Sequence, residues 1–162
     1  MSIYEQGLDK NRANYVALWP VSFVERSAEV FADLPAVIHG SRRYSWRETR
    51  ERSARLAAAL RALEVGRGTT VSVMLTNTPE MVEAHYAVPA LGAVLHALNT
   101  RLDAPLLAWQ MQHCESAVLI TDREFSGVMR EALRILREEG VNVVTRAQLG
   151  ALRRSGAASV RL

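Results

Sequence analysis

One cysteine, one lysine and no long apolar run mark this sequence by what it lacks. The single Cys114 excludes an intramolecular disulfide and fits a reducing compartment, so a cytoplasmic protein is expected. No stretch approaches the roughly 20 apolar residues that a membrane span needs. The polar opening from Met1 to Lys10 has no apolar signal core and gives no argument for export. Aromatic residues make up only 6% and do not interleave with arginines, as a base-stacking surface requires. Acidic residues are missing from residues 146–162, which carry Arg146, Arg153, Arg154 and Arg161. Residues 1–145 then hold 16 basic against 17 acidic residues, so the net charge of +3 belongs to the end of the chain. Basicity confined to a solvated tail predicts no nucleic-acid partner.

What is present is ordinary globular material: 162 residues, 49% hydrophobic and 23% charged. A domain of about 150 residues buries roughly 68–70% of its unfolded surface, enough for one core. Three segments are expected: an irregular leader over 1–21, an α/β domain over 22–144, and a divergent Arg/Ala-rich tail over 145–162.

The domain reads as alternating elements. Trp19-Pro20 breaks the leader, and Ser22-Phe23-Val24-Glu25 has the form of a capping box that opens a helix to about Phe31. Ala36–His39 and Arg43-Tyr44 read as short strands about the Gly40-Ser41 turn. A second capping box, Ser45-Trp46-Arg47-Glu48, opens an amphipathic helix. Its inner stripe is Trp46, Thr49, Ser53, Leu56, Leu60 and Leu63, and Gly66 is expected to end it as a left-handed cap. Thr70–Leu75 follows as a strand, then a helix with Thr78 capping and Pro79 in its first turn, kinked or ended near Pro89. Ala93–Leu98 strand, Asp103–His113 helix, Ala117–Thr121 strand, a helix from Phe125 to Glu139 and a last strand over Val141–Val144 complete the rhythm. Strands such as Ala117-Val118-Leu119-Ile120, apolar on both faces, are those of a largely parallel sheet with flanking helices.

Chemistry-bearing residues are sparse. Gly66-Arg67-Gly68 follows a helix and precedes a strand, the reverse of the strand–glycine–helix order that cradles phosphate. No pair among His39, His85, His96 and His113 has zinc-site spacing, and adjacent His113 and Cys114 point apart. His96, in an apolar strand, reads as a hydrogen-bonded core histidine. Ser72 lies within a strand and Ser126 reads as a helix cap, so neither has nucleophile-elbow geometry. Asp122 stands at the C-terminal end of a buried strand, where open α/β sheets place functional groups, but aspartate there more commonly caps the next helix.

Taken in order, these pieces resemble the N-terminal region of the acyl-adenylate-forming superfamily, especially the AMP-forming fatty-acid and aryl acid–CoA ligases. The resemblance is carried by Tyr44-Ser45-Trp46-Arg47-Glu48 and by Gly66-Arg67-Gly68 through Val71–Leu75 to Asn77-Thr78-Pro79-Glu80. Gly92-Ala93 through Asn99-Thr100-Arg101-Leu102, and Val118–Thr121 followed by Asp122, extend it. It covers residues 15–138, departing at Thr69, where the family usually has aspartate, and at Thr76, where proline or serine is common. The resemblance implies an incomplete N-terminal portion of the adenylate-forming ligase fold, ending before the ATP phosphate-binding loop. The parent reaction couples ATP and a carboxylate into an acyl-adenylate with release of pyrophosphate; the CoA thiol then displaces AMP. That chemistry gathers negative charge and calls for ATP, magnesium, CoA, a Ser/Thr/Gly-rich loop and a positioned lysine. The only lysine, Lys10, lies in the leader. No catalytic, cofactor-binding or metal residue is therefore carried over, and no cofactor is expected for this chain alone. Its expected partners are the remainder of a ligase or further copies of itself. The competing readings are a self-sufficient α/β binding module derived from that scaffold, and a basic-tailed protein that contacts nucleic acid or an anionic membrane.

Overall fold

The computed structural model describes residues 6–7, 9–16 and 18–141. Its centre is strand β3, Thr70–Met74, buried along its whole length. β3 pairs in parallel with β4 (Val94–Ala97) on one side and β5 (Ser116–Thr121) on the other, giving the order β4-β3-β5. Residues alternate across a strand, and here the alternation sorts the core into two. Val71 and Val73 face Leu60 of helix α2 (Trp46–Arg61) and Ala84 and Val88 of helix α3 (Pro79–Ala90). Met74 faces Leu107 and Met111 of helix α4 (Ala104–His113) and Met129 and Leu136 of helix α5 (Ser126–Glu138). The parallel sheet with helices on both faces is thus the expected α/β architecture.

Outside α2 and α3 lies helix α1 (Pro20–Val30), which buries Val21, Val24 and Ala28. Strands β1 (Pro35–His39) and β2 (Arg42–Ser45) form an antiparallel hairpin whose turn uses Gly40 at φ 59°. Ser45 ends that hairpin and begins α2 by the predicted capping box. Its Oγ accepts from the Glu48 N–H at 3.2 Å, and the Glu48 carboxylate accepts from the Ser45 N–H at 2.8 Å. Thr49, Ser53 and Leu60 form the buried stripe, with Leu56 and Leu63 half-buried beside them.

Several expectations are corrected. Ser22 caps nothing: α1 begins at Pro20, whose fixed φ suits a first helical position, and the Ser22 hydroxyl donates back to the Trp19 carbonyl at 2.7 Å. Gly66 is not the left-handed residue after α2. Glu64 takes that conformation at φ 66°, so the chain turns early enough to bury Val65. Thr78 occupies the N-cap of α3 without a side-chain cap bond, and α3 runs through Pro89 to Ala90. Ser126 is the first residue of α5 rather than its cap; a 3₁₀ turn over Arg123–Phe125 precedes it. Of the expected last strand only Val141 is described. It packs against the α4–α5 core, whereas 142–144 and the tail over 145–162 lie outside the described residues.

Candidate functional site

The parallel register brings together polar residues that are far apart in the chain. Ser72 on β3 stands opposite His96 on β4, and Thr70 stands opposite Ser116 at the start of β5. Cys114 caps the end of α4 directly before β5. The Ser72 hydroxyl lies 2.8 Å from His96 Nδ1 and in a short contact with the Ser116 hydroxyl. Cys114 Sγ lies 3.0 Å from the same Nδ1 and 3.1 Å from Ser116 Oγ, and the thiol also faces the Met111 carbonyl at 3.7 Å. Four side chains thus close a ring beneath α4. Burial pushes the His96 imidazole below its ordinary pKa. A neutral ring with Nδ1 unprotonated accepts from Ser72 or Cys114, and three hydroxyl and thiol protons suffice to satisfy the cluster.

His96 is the hydrogen-bonded core histidine expected from its strand. His113 and Cys114 diverge as adjacency required: the His113 ring stacks on Trp109 at 4.9 Å, while Cys114 turns to His96. The meeting of Cys114 with His96 was not read from the sequence. Its signal was the sheet register, which needs strand order as well as strand positions.

A second polar assembly joins β2, α2 and α3. Arg52 Nε donates to Glu83 at 2.5 Å and its guanidinium reaches Glu80 at 3.7 Å, while Arg42 pairs with Glu80 at 2.8 Å. Arg52 also lies over the Tyr44 ring, 4.5 Å from its centre. The Glu83 hydrogen bond holds Arg52 above its usual pKa. Burial opposes ionisation of Glu80, but its own backbone N–H, Thr78 and Arg42 together hold its carboxyl below the ordinary value. The matched Asn77-Thr78-Pro79-Glu80 segment therefore serves as a charged joint between helices.

These residues do not fit a nucleotide–magnesium site. The Gly66 N–H is taken by Thr69 Oγ1 at 3.2 Å and the Gly68 N–H by the Gly92 carbonyl at 3.1 Å, so neither glycine offers a free donor to phosphate. Lys10 lies 4.5 Å from the centre of the Tyr15 ring in the leader. Asp122 accepts from the Glu124 N–H at 3.2 Å and caps the 3₁₀ turn. Among the described residues no group of three or more His, Cys, Asp or Glu side chains converges as a metal site requires.

Comparison with known proteins gives these scaffold elements a family. The profile of the AMP-binding enzymes matches residues 24–159. Over 132 residues the chain is 45% identical to a peroxisomal acetate/butyrate–CoA ligase of Arabidopsis thaliana and to an acetate–CoA ligase of Humulus lupulus. Each match takes in 82% of this chain and 23% of the relative. The crystal structure of an anthranilate CoA ligase in complex with anthranoyl-AMP has the same fold, with a TM-score of 0.70 over 80% of this chain and 24% of that one, at 23% identity. The chain spans about a quarter of the length of the relatives it matches, and in fold it is a short N-terminal portion of an adenylate-forming ligase. The chain belongs to the AMP-binding enzyme family.

Proposed function

We propose that this chain is the opening scaffold of an AMP-forming acid–CoA ligase and does not turn over substrate by itself. The observation that carries the reading is the state of the glycine turn. In a chain 45% identical to acid–CoA ligases, the N–H groups of Gly66 and Gly68 are already bonded within the fold. The complete protein would join ATP and a carboxylate into an acyl-adenylate with release of pyrophosphate, then let the CoA thiol displace AMP. ATP, magnesium and CoA belong to that whole protein. Its acid is of the fatty or aryl class, selected by segments other than the strands and helices described above.

The partner in this reading is the remainder of the ligase; separated from it, the chain self-associates through uncovered apolar surface. We place the protein in the cytoplasm on the strength of its lone thiol, Cys114. No helix among the described residues is long and apolar enough to cross a membrane. Purified chain incubated with ATP, CoA and mixed carboxylic acids should release no AMP above blank, and clear turnover would overturn the proposal. A self-sufficient binding module is the other reading. The DNA after codon 162 separates the two: a downstream Ser/Thr-Gly-rich loop ending in Pro-Lys-Gly, in any frame, supports the ligase.

A further inference from the structure

Helix α1 buries one face and leaves an unusually apolar one in solvent. Leu18 is 90% exposed, Phe23 54% and Trp19 46%. With Pro20 and with Tyr86 of α3 they line a concavity of about 390 Å³. Tyr86 also borders a second concavity, of about 240 Å³, whose walls include Ala54, Ala57 and Ala58 of α2. The two form a continuous trough along α1, with small alanines keeping its floor low and with Glu25, Arg50 and Arg61 bordering its inner part. An apolar centre with a charged margin is the anatomy of a protein interface, and buried Trp and Tyr side chains are the commonest anchors of one. Contiguous exposed apolar surface on this scale marks an interaction site in a soluble protein.

The comparisons indicate what fills it. In the acetate/butyrate and acetate ligases the matched segment is 23% of one polypeptide, which leaves about three quarters to be packed around it. A second copy of this chain is a poorer occupant. A two-fold contact presses a patch against itself, and two facing hollows leave a void where a protruding segment would fill one.

We propose that the trough over α1 and α3 seats the rest of an acid–CoA ligase, which lays an apolar segment against Trp19, Phe23 and Tyr86. The proposal rests on the ligase reading above and adds the surface through which the scaffold joins its enzyme. Hydroxyl-radical footprinting tests it in two contexts: the isolated chain, diluted until it sediments as a monomer, and the same chain grafted in place of the matched segment of the Arabidopsis acetate/butyrate–CoA ligase. Oxidation of Trp19 and Phe23 should fall at least fivefold on grafting. AMP release by the graft with both residues still as reactive as in the isolated chain overturns the docking surface and leaves the ligase reading standing. Protection of both residues without AMP release supports the surface and counts against the ligase reading. A measurement independent of the graft uses an apolar fluorescent dye on the isolated chain. Trp19→Ser/Phe23→Ser should cut dye binding at least twofold with the thermal midpoint kept, and unchanged binding overturns the proposal. Should that variant unfold, Leu18→Glu, at a position almost wholly in solvent, reads out the same surface.

Discussion

On the α2–α3 side of the sheet the charged groups sit at the joints between helices, whereas on the α4–α5 side the polar groups lie under a helix, against the strands. Arg52, Glu80 and Glu83 belong to the first arrangement and keep partial contact with water. Ser72, His96 and Ser116 belong to the second, and Ser72 has no exposed surface at all. Water can replace a lost partner at a joint but not beneath a helix, where an unmade hydrogen bond costs its full desolvation. The joint tolerates full charges because its partners are opposite in sign and in contact. The interior cluster instead uses neutral hydroxyls, a thiol and an imidazole held neutral by burial. Neither arrangement presents a group to substrate, as befits a scaffold portion of a larger enzyme.

The largest effect should come from the apolar part of the α4–α5 side. Leu107 has no exposed surface and packs with Met74, Met111 and Met129. Leu107→Ala should cost about 2–5 kcal/mol, because methionines fill a void only in part and the cavity persists. Urea unfolding measures it. A cost below about 1 kcal/mol would show that this side repacks freely and is not the firmer half of the core.

Next is the joint. Glu83→Ala leaves the Arg52 guanidinium half-covered by Tyr44 and dependent on Glu80 at 3.7 Å. Loss of a charge-assisted hydrogen bond from a partly buried pair should cost about 1–3 kcal/mol. Glu83→Gln keeps an acceptor and should recover part of it. If Glu83→Ala costs no more than an exposed pair, about 0–1 kcal/mol, the joint is ornamental and the contrast between the two sides fails. Arg134 with Glu131 on the outer face of α5 is such an exposed pair.

The interior cluster answers to pH. His96 is depressed in the fold relative to its ordinary 6.5, so the unfolded chain binds the proton more readily. Its contribution is complete above pH 6.5 and declines as pH falls from there toward the depressed folded value. Cys114, Ser72 and Ser116 are the groups facing the ring, and none carries a compensating negative charge when the thiol is protonated. The urea midpoint should therefore drop between pH 7.5 and 5.5, and His96→Gln should flatten that drop. Glu80, depressed below its ordinary 4.5, acts in a lower window: its contribution is present above pH 4.5 and is lost as pH falls further. An equal drop in wild type and His96→Gln would mean that the ring is not the sensor.

Much of the fold was legible because its signals are local. Strands β3, β4 and β5 were placed to within one or two residues by their apolar runs, and their parallel pairing followed from the intervening helices. The Cys114–His96 contact was hidden because it depends on which strand lies beside which, and the order β4-β3-β5 is a property of the whole sheet. The end of α2 was misread for another reason. Glycine is the usual left-handed residue, yet burying Val65 required the turn at Glu64, and packing overrode the backbone preference. Family membership was carried by scaffold motifs in sequence order. The exposed trough along α1 was not legible, since a helix pattern shows which residues are apolar but not which of two apolar faces the rest of the domain leaves uncovered.

The smallest predicted difference separates two sites that look alike in sequence. Ser22-Phe23-Val24-Glu25 and Ser45-Trp46-Arg47-Glu48 both have the capping-box form. At the second, both reciprocal bonds are made, so Ser45→Ala frees the Glu48 N–H and should cost about 1 kcal/mol. At the first, Pro20 already supplies the fixed φ of a helix start and has no N–H to satisfy. The Ser22 hydroxyl donates to the Trp19 carbonyl, a group that water can reach because Trp19 is half-exposed. Ser22→Ala should then stay within about 0.5 kcal/mol, the range of an ordinary surface change. The two variants, compared in urea at pH 7.5, isolate the value of the cap from that of the sequence pattern. A cost for Ser22→Ala equal to that for Ser45→Ala would show that α1 starts two residues later in solution, with Ser22 as its cap after all. Pro20 would then leave the helix, and the aromatic face of Trp19 and Phe23 would be redrawn with it.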